Sequence, residues 1–312
     1  MSVDVDATPP PPQSTDFAFF PPELWVSFCE ASLVHARMAG LDVRYGATGQ
    51  LESRDGASYG LLTIARKCAE LDRDDWDDAL ATYFEQIASA VDNDEFGTDV
   101  LRVRLFPAGV VPAAATQQPQ WREFAPNVLA ALVATLHGAL RTLNPSDIER
   151  LELGEDEAWD IAWANVLDEA VDRSETETSG SATLQSFFGS SFFIASKVGR
   201  LERLVGPIGP HGALVAIPRR HSLAVHIIED LSVVDAIKAL LPYAMTVAAQ
   251  GPGPISNQVF WCRNGELVAL PAEEKDQQIT FSPPIEFIEM MNSLAPAPAT
   301  APDATDEPGA AG

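Results

Sequence analysis

Positive charge is scarce in this 312-residue chain. Its 20 lysines and arginines stand against 45 aspartates and glutamates, so the formal net charge is −25. A field of that sign repels the phosphates of nucleic acids and of anionic lipid surfaces at long range. We therefore expect neither nucleic acid nor a membrane as a partner, and we expect the partner to be another protein. The oligomeric state is not predicted.

Cysteine is also scarce. Cys29, Cys68 and Cys262 are spread over the whole chain without a CxxC pair. An odd number at such distances argues against a disulfide framework and against a structural zinc site. Cys68 and Cys262 lie in apolar patterns and are predicted to be small core residues rather than nucleophiles.

Long apolar runs are missing. No run of 18 apolar residues is present, so no transmembrane span is expected. The N-terminal sequence MSVDVDATPPPP has acids where a signal peptide needs basic residues. We expect a cytoplasmic protein.

Known catalytic and cofactor motifs are missing too. The chain has neither GxxxxGK[ST] nor GxSxG, and the prolines in GPIGPHG and GPGP lack the N–H groups of a phosphate cradle. His221 and His226 are five apart on a predicted strand, which places them on opposite faces. The five aspartates between residues 72 and 78 are predicted to be a solvated helix start, since the spacing of a calcium loop is absent. No catalytic residue, metal or cofactor is predicted.

The chain nevertheless has the composition of a folded protein, with 46% hydrophobic residues. We predict an α+β fold with a mixed sheet, helices packed mainly on one face, and two similar-sized halves. The predicted units are an N-terminal half at 17–172, a linker or long loop at 173–182, and a C-terminal half at 183–293. The Pro/Ala-rich ends, 1–16 and 294–312, are predicted to be disordered because they cannot bury enough apolar surface.

Hydrophobic periodicity, together with residues that begin or end helices and strands, predicts the elements of both halves. In the N-terminal half we predict helices at 22–39, 72–91, about 125–143 and 155–171, a hairpin at 41–53 and a strand at 101–107. In the C-terminal half we predict strands at 184–189, 212–218, 222–229 and 260–270, and helices at 192–206 and 233–250. Arg263-Asn264-Gly265 divides the last strand segment and is the strongest hairpin signal in the chain.

Several of these segments carry a resemblance. The motifs are WDIAWANV, FFGSSFFIAS, GALVAIPRRHSLAVHII, GPGPIS and VFWCRNGELV, with LDRDDW and LRVRLFP in the first half. The chain resembles uncharacterised proteins of GC-rich bacteria and, more distantly, a bacterial domain of unknown function in which a strand ends in a turn like Pro218-Arg219. The likeness covers most of residues 20–271. It implies a cytosolic α+β fold and no particular activity.

One segment departs from the acidic background. Residues 197–221, the basic segment, have a local net charge of +4 because only Glu202 opposes their lysine and arginines. The basic side chains of this segment are Lys197, Arg200, Arg203, Arg219, Arg220 and His221. Guanidinium groups suit carboxylates and phosphates, so these residues are a candidate anion-binding patch. The competing explanation is internal, since the acidic segment 147–177 has a net charge of −10 and is able to dock on them.

Two functional hypotheses follow. The leading one is a non-enzymatic interaction or regulatory protein, because charged surfaces accompany the lack of a coherent catalytic constellation. The alternative is an enzyme or small-molecule binding domain that acts on an anionic ligand through the basic segment. The alternative requires Arg203, Arg219 and His221 to converge in a pocket.

Overall fold

A computed structural model describes residues 9–13, 17–46, 49–53, 58–92, 97–111, 115–136, 139–250, 253–275 and 278–294. Its α-helices are α1 (Pro22–Met38), α2 (Leu62–Ala69), α3 (Trp76–Asp92), α4 (Pro145–Arg150), α5 (Glu155–Leu167), α6 (Leu201–Val205), α7 (Val233–Gln250) and α8 (Ile285–Leu294). Within the described part of the chain, no helix is long and apolar enough to cross a bilayer.

The strands form two larger sheets and a small hairpin. They are β1 (Val43–Tyr45), β2 (Gln50–Ser53), β3 (Ser58–Gly60), β4 (Leu101–Pro107), β5 (Trp121–Ala125), β6 (Val128–Leu136), β7 (Ala139–Thr142), β8 (Arg173–Ser179), β9 (Ala182–Phe188), β10 (Ala213–Arg219), β11 (Ser222–Ile227), β12 (Val259–Arg263), β13 (Glu266–Leu270), β14 (Ala272–Lys275) and β15 (Gln278–Phe281). Sheet A has the order β1-β2-β3-β7-β6-β4, with β5 also paired to β6, and sheet B has the order β13-β12-β10-β11-β9-β8.

The α+β class is confirmed, but the described strands pair only in antiparallel fashion, whereas we predicted a mixed sheet. Tight turns account for part of this pattern, because a parallel pair needs a long crossover and a two-residue turn permits only an antiparallel pair. The Asn264-Gly265 turn between β12 and β13 is one example, and it confirms the predicted hairpin. Both turn residues have positive φ, 53° and 81°, which asparagine and glycine tolerate best.

The predicted helix at 125–143 is wrong. The segment forms the end of β5, then β6 and β7, with a turn at Asn127, whose φ is 64°. Residues 128–134 are all buried, because β6 is flanked by other strands and covered on its faces. A continuous apolar run of this kind has no strand alternation and is easily mistaken for a buried helix.

The predicted linker or long loop at 173–182 is instead β8, its turn, and the first residue of β9. Seven residue pairs join the two strands, from Arg173 with Phe188 to Ser179 with Ala182. The strand is polar because it forms the exposed edge of sheet B, where charged side chains discourage further pairing. The division into two halves stays a prediction.

Three apolar clusters form the core. The inner core lies between the two sheets and draws Leu132 from β6, Trp159 from α5 and Val225 from β11, so both predicted halves contribute to it. A second core joins α1, α2 and α3 to β1–β3, and an outer core packs α7 and α8 on the other face of sheet B. Sheet B is therefore covered on both faces, and Phe192 packs against both the inner and the second core.

The predicted disordered ends lie mostly outside the described residues. Residues 1–8, 14–16 and 295–312 are not described. Residues 9–13 are described and contact the folded part, since the indole of Trp25 donates to the Pro11 carbonyl at 2.9 Å and Gln13 donates to the carbonyls of Phe17 and Phe20. Pro11 and Gln13 thus contact the folded part, and the disorder of the two ends stays a prediction.

Candidate functional site

The basic segment folds as a 3₁₀ helix at Ala195–Arg200, then α6, then the hairpin of β10 and β11. Lys197 and Arg200 are three residues apart, and residues at that spacing eclipse one another in a 3₁₀ helix. Both side chains consequently face the same neighbour, α5. The predicted helix at 192–206 is thus shorter and tighter than expected.

Lys197 is buried, with 2% of its surface exposed. Its Nζ donates to the carbonyl of Val166 at 3.0 Å and to that of Leu167 at 2.8 Å, at the C-terminal end of α5. Burial lowers the pKa of Lys197, and the nearby carboxylates of Glu169 and Asp168 oppose that shift. A cation at this position satisfies the last carbonyls of a helix and complements its dipole.

Arg200 also contacts α5, since its Nη2 donates to Asp160 at 2.8 Å. Asp160, like Val166 and Leu167, belongs to the acidic segment. Lys197 and Arg200 therefore contact that segment, as the competing explanation requires. Arg203 lies on α6 and is exposed. Lys197 and Arg200 therefore make their polar contacts with α5 and not with the hairpin.

Arg219 and Arg220 diverge, as consecutive residues at the end of a strand do. Arg219 lies opposite Ser222 in the register of β10 and β11, and it is close enough to Tyr243 of α7 to affect the pKa of that phenol. Arg220 is 5% exposed and faces the other way, with its Cζ 4.7 Å from the centroid of the Phe192 ring.

The turn that carries Arg220 and His221 is fixed by backbone hydrogen bonds on both sides. The Arg220 N–H donates to the Gly253 carbonyl at 3.0 Å, and the Arg220 carbonyl accepts from Ala195 at 3.1 Å. The His221 carbonyl accepts from Gly189 at 3.2 Å. Since these neighbours come from two separate loops, the direction of both side chains is set by tertiary structure.

His221 holds Arg220 in place. Its Nε2 accepts from the Nε of Arg220 at 2.9 Å, so its Nδ1 carries the proton and donates to the Ser191 carbonyl at 3.0 Å. Burial lowers the pKa of His221 to about 4, with further lowering by the positive charges of Arg220 and Arg66. His221 is therefore neutral at pH 7 and lies in a positive field.

Three residues outside the basic segment complete this site. Arg104 of β4 has its Cζ 5.8 Å from the Phe192 ring centroid, and Arg66 of α2 acts electrostatically on His221. The Phe192 ring lies 5.4 Å from the His221 ring. We name Arg66, Arg104, Phe192, Arg220 and His221 the Phe192 cluster. The alternating basic residues of LRVRLFP were a signal for Arg104, and the phenylalanine-rich FFGSSFFIAS was a signal for Phe192.

Acidic side chains anchor the loop that carries Phe192. The Ser191 hydroxyl donates to Glu169 at 2.7 Å, and the same carboxylate accepts from Arg102 of β4 at 2.7 Å. The Ser190 N–H donates to Asp172 at 2.7 Å. Part of the acidic segment thus fixes the loop that places the Phe192 ring near both guanidinium groups.

Other candidate chemistries have structural explanations. Cys68 and Cys262 are buried, as predicted, and burial raises the pKa of each thiol to about 11. His226 lies on β11 with its Nδ1 2.9 Å from the Thr183 carbonyl, away from His221 in the turn. Among the described residues, no group of three histidine, cysteine or acidic side chains has the arrangement of a metal site.

Comparison of the chain with known proteins found no matching family model, curated protein or solved structure. The kinship with uncharacterised proteins of GC-rich bacteria stays a prediction.

Proposed function

We propose that the chain is a non-enzymatic interaction protein of the cytoplasm that binds a carboxylate-bearing segment of a protein partner on the Phe192 cluster. One observation carries the proposal. The guanidinium groups of Arg104 and Arg220 lie 5.8 and 4.7 Å from the centroid of one phenyl ring, in a chain of net charge −25. Two positive charges beside one aromatic ring favour a planar anion such as a carboxylate.

The charges favour a short acidic segment over a long polyanion. At physiological ionic strength a charge is screened beyond about 8 Å, so a short segment on the cluster responds to the nearby arginines. A nucleic acid spans a larger surface and meets the acidic remainder of the molecule, which repels it. A flexible peptide with a few aspartates or glutamates is attracted by the nearby arginines and avoids repulsion by the acidic remainder of the molecule.

The arrangement of His221 favours binding over acid–base catalysis. Both ring nitrogens are engaged within the protein, one with Ser191 and the other with Arg220. A general acid or base needs a nitrogen within reach of the substrate proton. His221 instead fixes the plane of the Arg220 guanidinium, and this is a positioning role.

Fluorescence anisotropy with a labelled hexaglutamate peptide at 0.15 M salt tests the proposal. We expect hexaglutamate to bind and hexaglutamine not to bind. The variants Arg66→Gln and Arg104→Gln each weaken binding by about tenfold, equivalent to about 1.4 kcal/mol. Arg66 is exposed and Arg104 is half-buried, so both are suitable for substitution. Thermal unfolding of each variant verifies its fold.

Arg263→Gln is the matched control. The Arg263 guanidinium also lies over an aromatic ring, with its Cζ 5.3 Å from the centroid of a Trp261 ring, but it is exposed at the end of β12 and outside the cluster. This variant keeps the affinity of the original chain. Equal loss in all three variants, or equal binding of hexaglutamine, contradicts the proposal.

A further inference from the structure

Phe19 is an exposed aromatic residue next to the Phe192 cluster. Its side chain is 44% exposed, and no other phenylalanine, tyrosine or tryptophan in the described part of the chain is exposed to this extent. The Cζ of Arg66 lies 6.0 Å from the centroid of the Phe19 ring, and Arg66 also acts electrostatically on His221. Phe19 is therefore a neighbour of a positive charge that belongs to the cluster.

The turn at residues 17–20 holds Phe19 at the surface. Phe17 and Phe20 occupy the core positions of this turn, with 2% and 1% of their surface exposed. The Phe20 N–H donates to the Phe17 carbonyl at 2.8 Å, and the Gln13 side chain donates to the carbonyls of both residues. Because backbone groups on either side of Phe19 are fixed in this way, its ring stays available to a partner.

Phe19 and Phe192 adjoin the same apolar core. The Phe19 ring centroid lies 6.3 Å from that of Phe17 and 6.4 Å from that of Phe20. Phe17 and Phe20 belong to the second core, and Phe192 packs against that core as well. The exposed ring is thus continuous, through buried aromatic side chains, with the ring at the centre of the proposed site.

We infer that Phe19 is an apolar subsite of the Phe192 cluster, and that the acidic partner segment carries an aromatic side chain that packs on it. This inference rests on the proposed function. A carboxylate on Arg66 places the adjoining residues of the segment beside Phe19, where a second ring gains contact area and a favourable ring–ring geometry. A second copy of the chain is disfavoured as the occupant, because two molecules of net charge −25 repel one another.

Fluorescence anisotropy with labelled peptides tests the subsite in the full chain. Hexaglutamate is compared with peptides that carry one additional phenylalanine, or one additional serine, at either end. Both ends are used because an extended peptide is able to lie in two directions. We expect the better of the two phenylalanine peptides to bind about fivefold more tightly than its serine counterpart, since a ring that packs on Phe19 leaves water.

Variants of Phe19 assign this preference to the subsite. Phe19→Ser removes the preference for phenylalanine and leaves the affinity for hexaglutamate unchanged, whereas Phe19→Leu keeps an apolar surface and most of the preference. Leu231→Ser is the matched control and keeps the full preference. Leu231 is 43% exposed, and it precedes α7 on the other face of sheet B. Thermal unfolding of each variant verifies its fold.

The outcomes distinguish this inference from the proposed function. Hexaglutamate that binds as tightly as both phenylalanine peptides overturns the inference and leaves the proposed function intact. A preference for phenylalanine that persists in Phe19→Ser, or that is also lost in Leu231→Ser, overturns the inference as well. If neither hexaglutamate nor the phenylalanine peptides bind, both are wrong.

Discussion

At the scale of single residues, the protonation state of His221 affects the net charge of the Phe192 cluster. Burial holds this histidine neutral, and the positive charges of Arg220 and Arg66 add to that effect. Neutral imidazole has one acceptor nitrogen, and that nitrogen orients the Nε of Arg220. The sequence pointed to Arg220 and His221 through local charge. It did not point to Arg66, because only packing brings α2 to the hairpin.

The first prediction concerns the titration of His221. The pKa is about 4 in the folded state against a usual value of 6.5, so between these values the unfolded state binds more protons. Stability therefore falls as the pH falls from 6.5 to 4. Two-dimensional NMR of the imidazole signals checks the midpoint directly.

His221→Gln removes this contribution while it keeps an acceptor and a donor at the same place. The difference in urea midpoint between pH 7 and pH 5 is smaller for the variant than for the original chain, and carboxylate titrations cancel in that comparison. A His221 midpoint near 6.5, or identical pH dependence in both proteins, refutes the electrostatic account.

At the scale of elements, local signals were sufficient where the pattern was unambiguous. Pro22 and Gly40 bound α1, and Asn264-Gly265 forms the predicted turn. Local sequence signals failed where tertiary packing determines the structure. Examples are β6, whose residues 128–134 are buried, and β8, which is a polar edge strand. These signals failed also for Lys197, because nothing in its spacing shows that its ammonium group lies on the end of α5.

The packing of α5 on the 3₁₀ helix gives the second prediction. A methyl group on Gly199 would lie 2.3 Å from an atom of the Trp163 ring, so Gly199→Ala forces the two elements apart. We expect a loss of about 1–3 kcal/mol in the free energy of unfolding, measured by urea denaturation.

Gly154→Ala is the matched control for that substitution. Gly154 precedes α5, and a methyl group there would have nothing within 4 Å. Gly154 is the N-cap of α5, where alanine is less favourable than glycine, so we expect a loss of at most about 1 kcal/mol in the free energy of unfolding. If both variants unfold at the same urea concentration, the contact between Trp163 and Gly199 does not hold α5 in place.

At the scale of the whole molecule, the acids have two uses. Some pair with arginines of the same chain, as the partly buried Glu169 does with Arg102 and the exposed Asp160 with Arg200. The acidic residues in excess of basic ones give the net charge of −25, and these negative charges repel one another. The Phe192 cluster therefore brings positive and aromatic side chains together within a negative field.

The third prediction follows from that excess. Exposed ion pairs contribute little, so screening of self-repulsion dominates when salt is added. We expect the unfolding temperature to rise between 0.02 and 0.5 M sodium chloride, measured by circular dichroism. A fall over that range means that attractive surface pairs outweigh the repulsion.

Chemical-shift mapping of the ¹⁵N-labelled chain with unlabelled hexaglutamate tests the account most directly. We expect shifts concentrated at residues 189–193 and at Arg220, His221, Arg104 and Arg66, with none at the exposed Arg263. Shifts confined to other surfaces, or no shifts at millimolar peptide, contradict it.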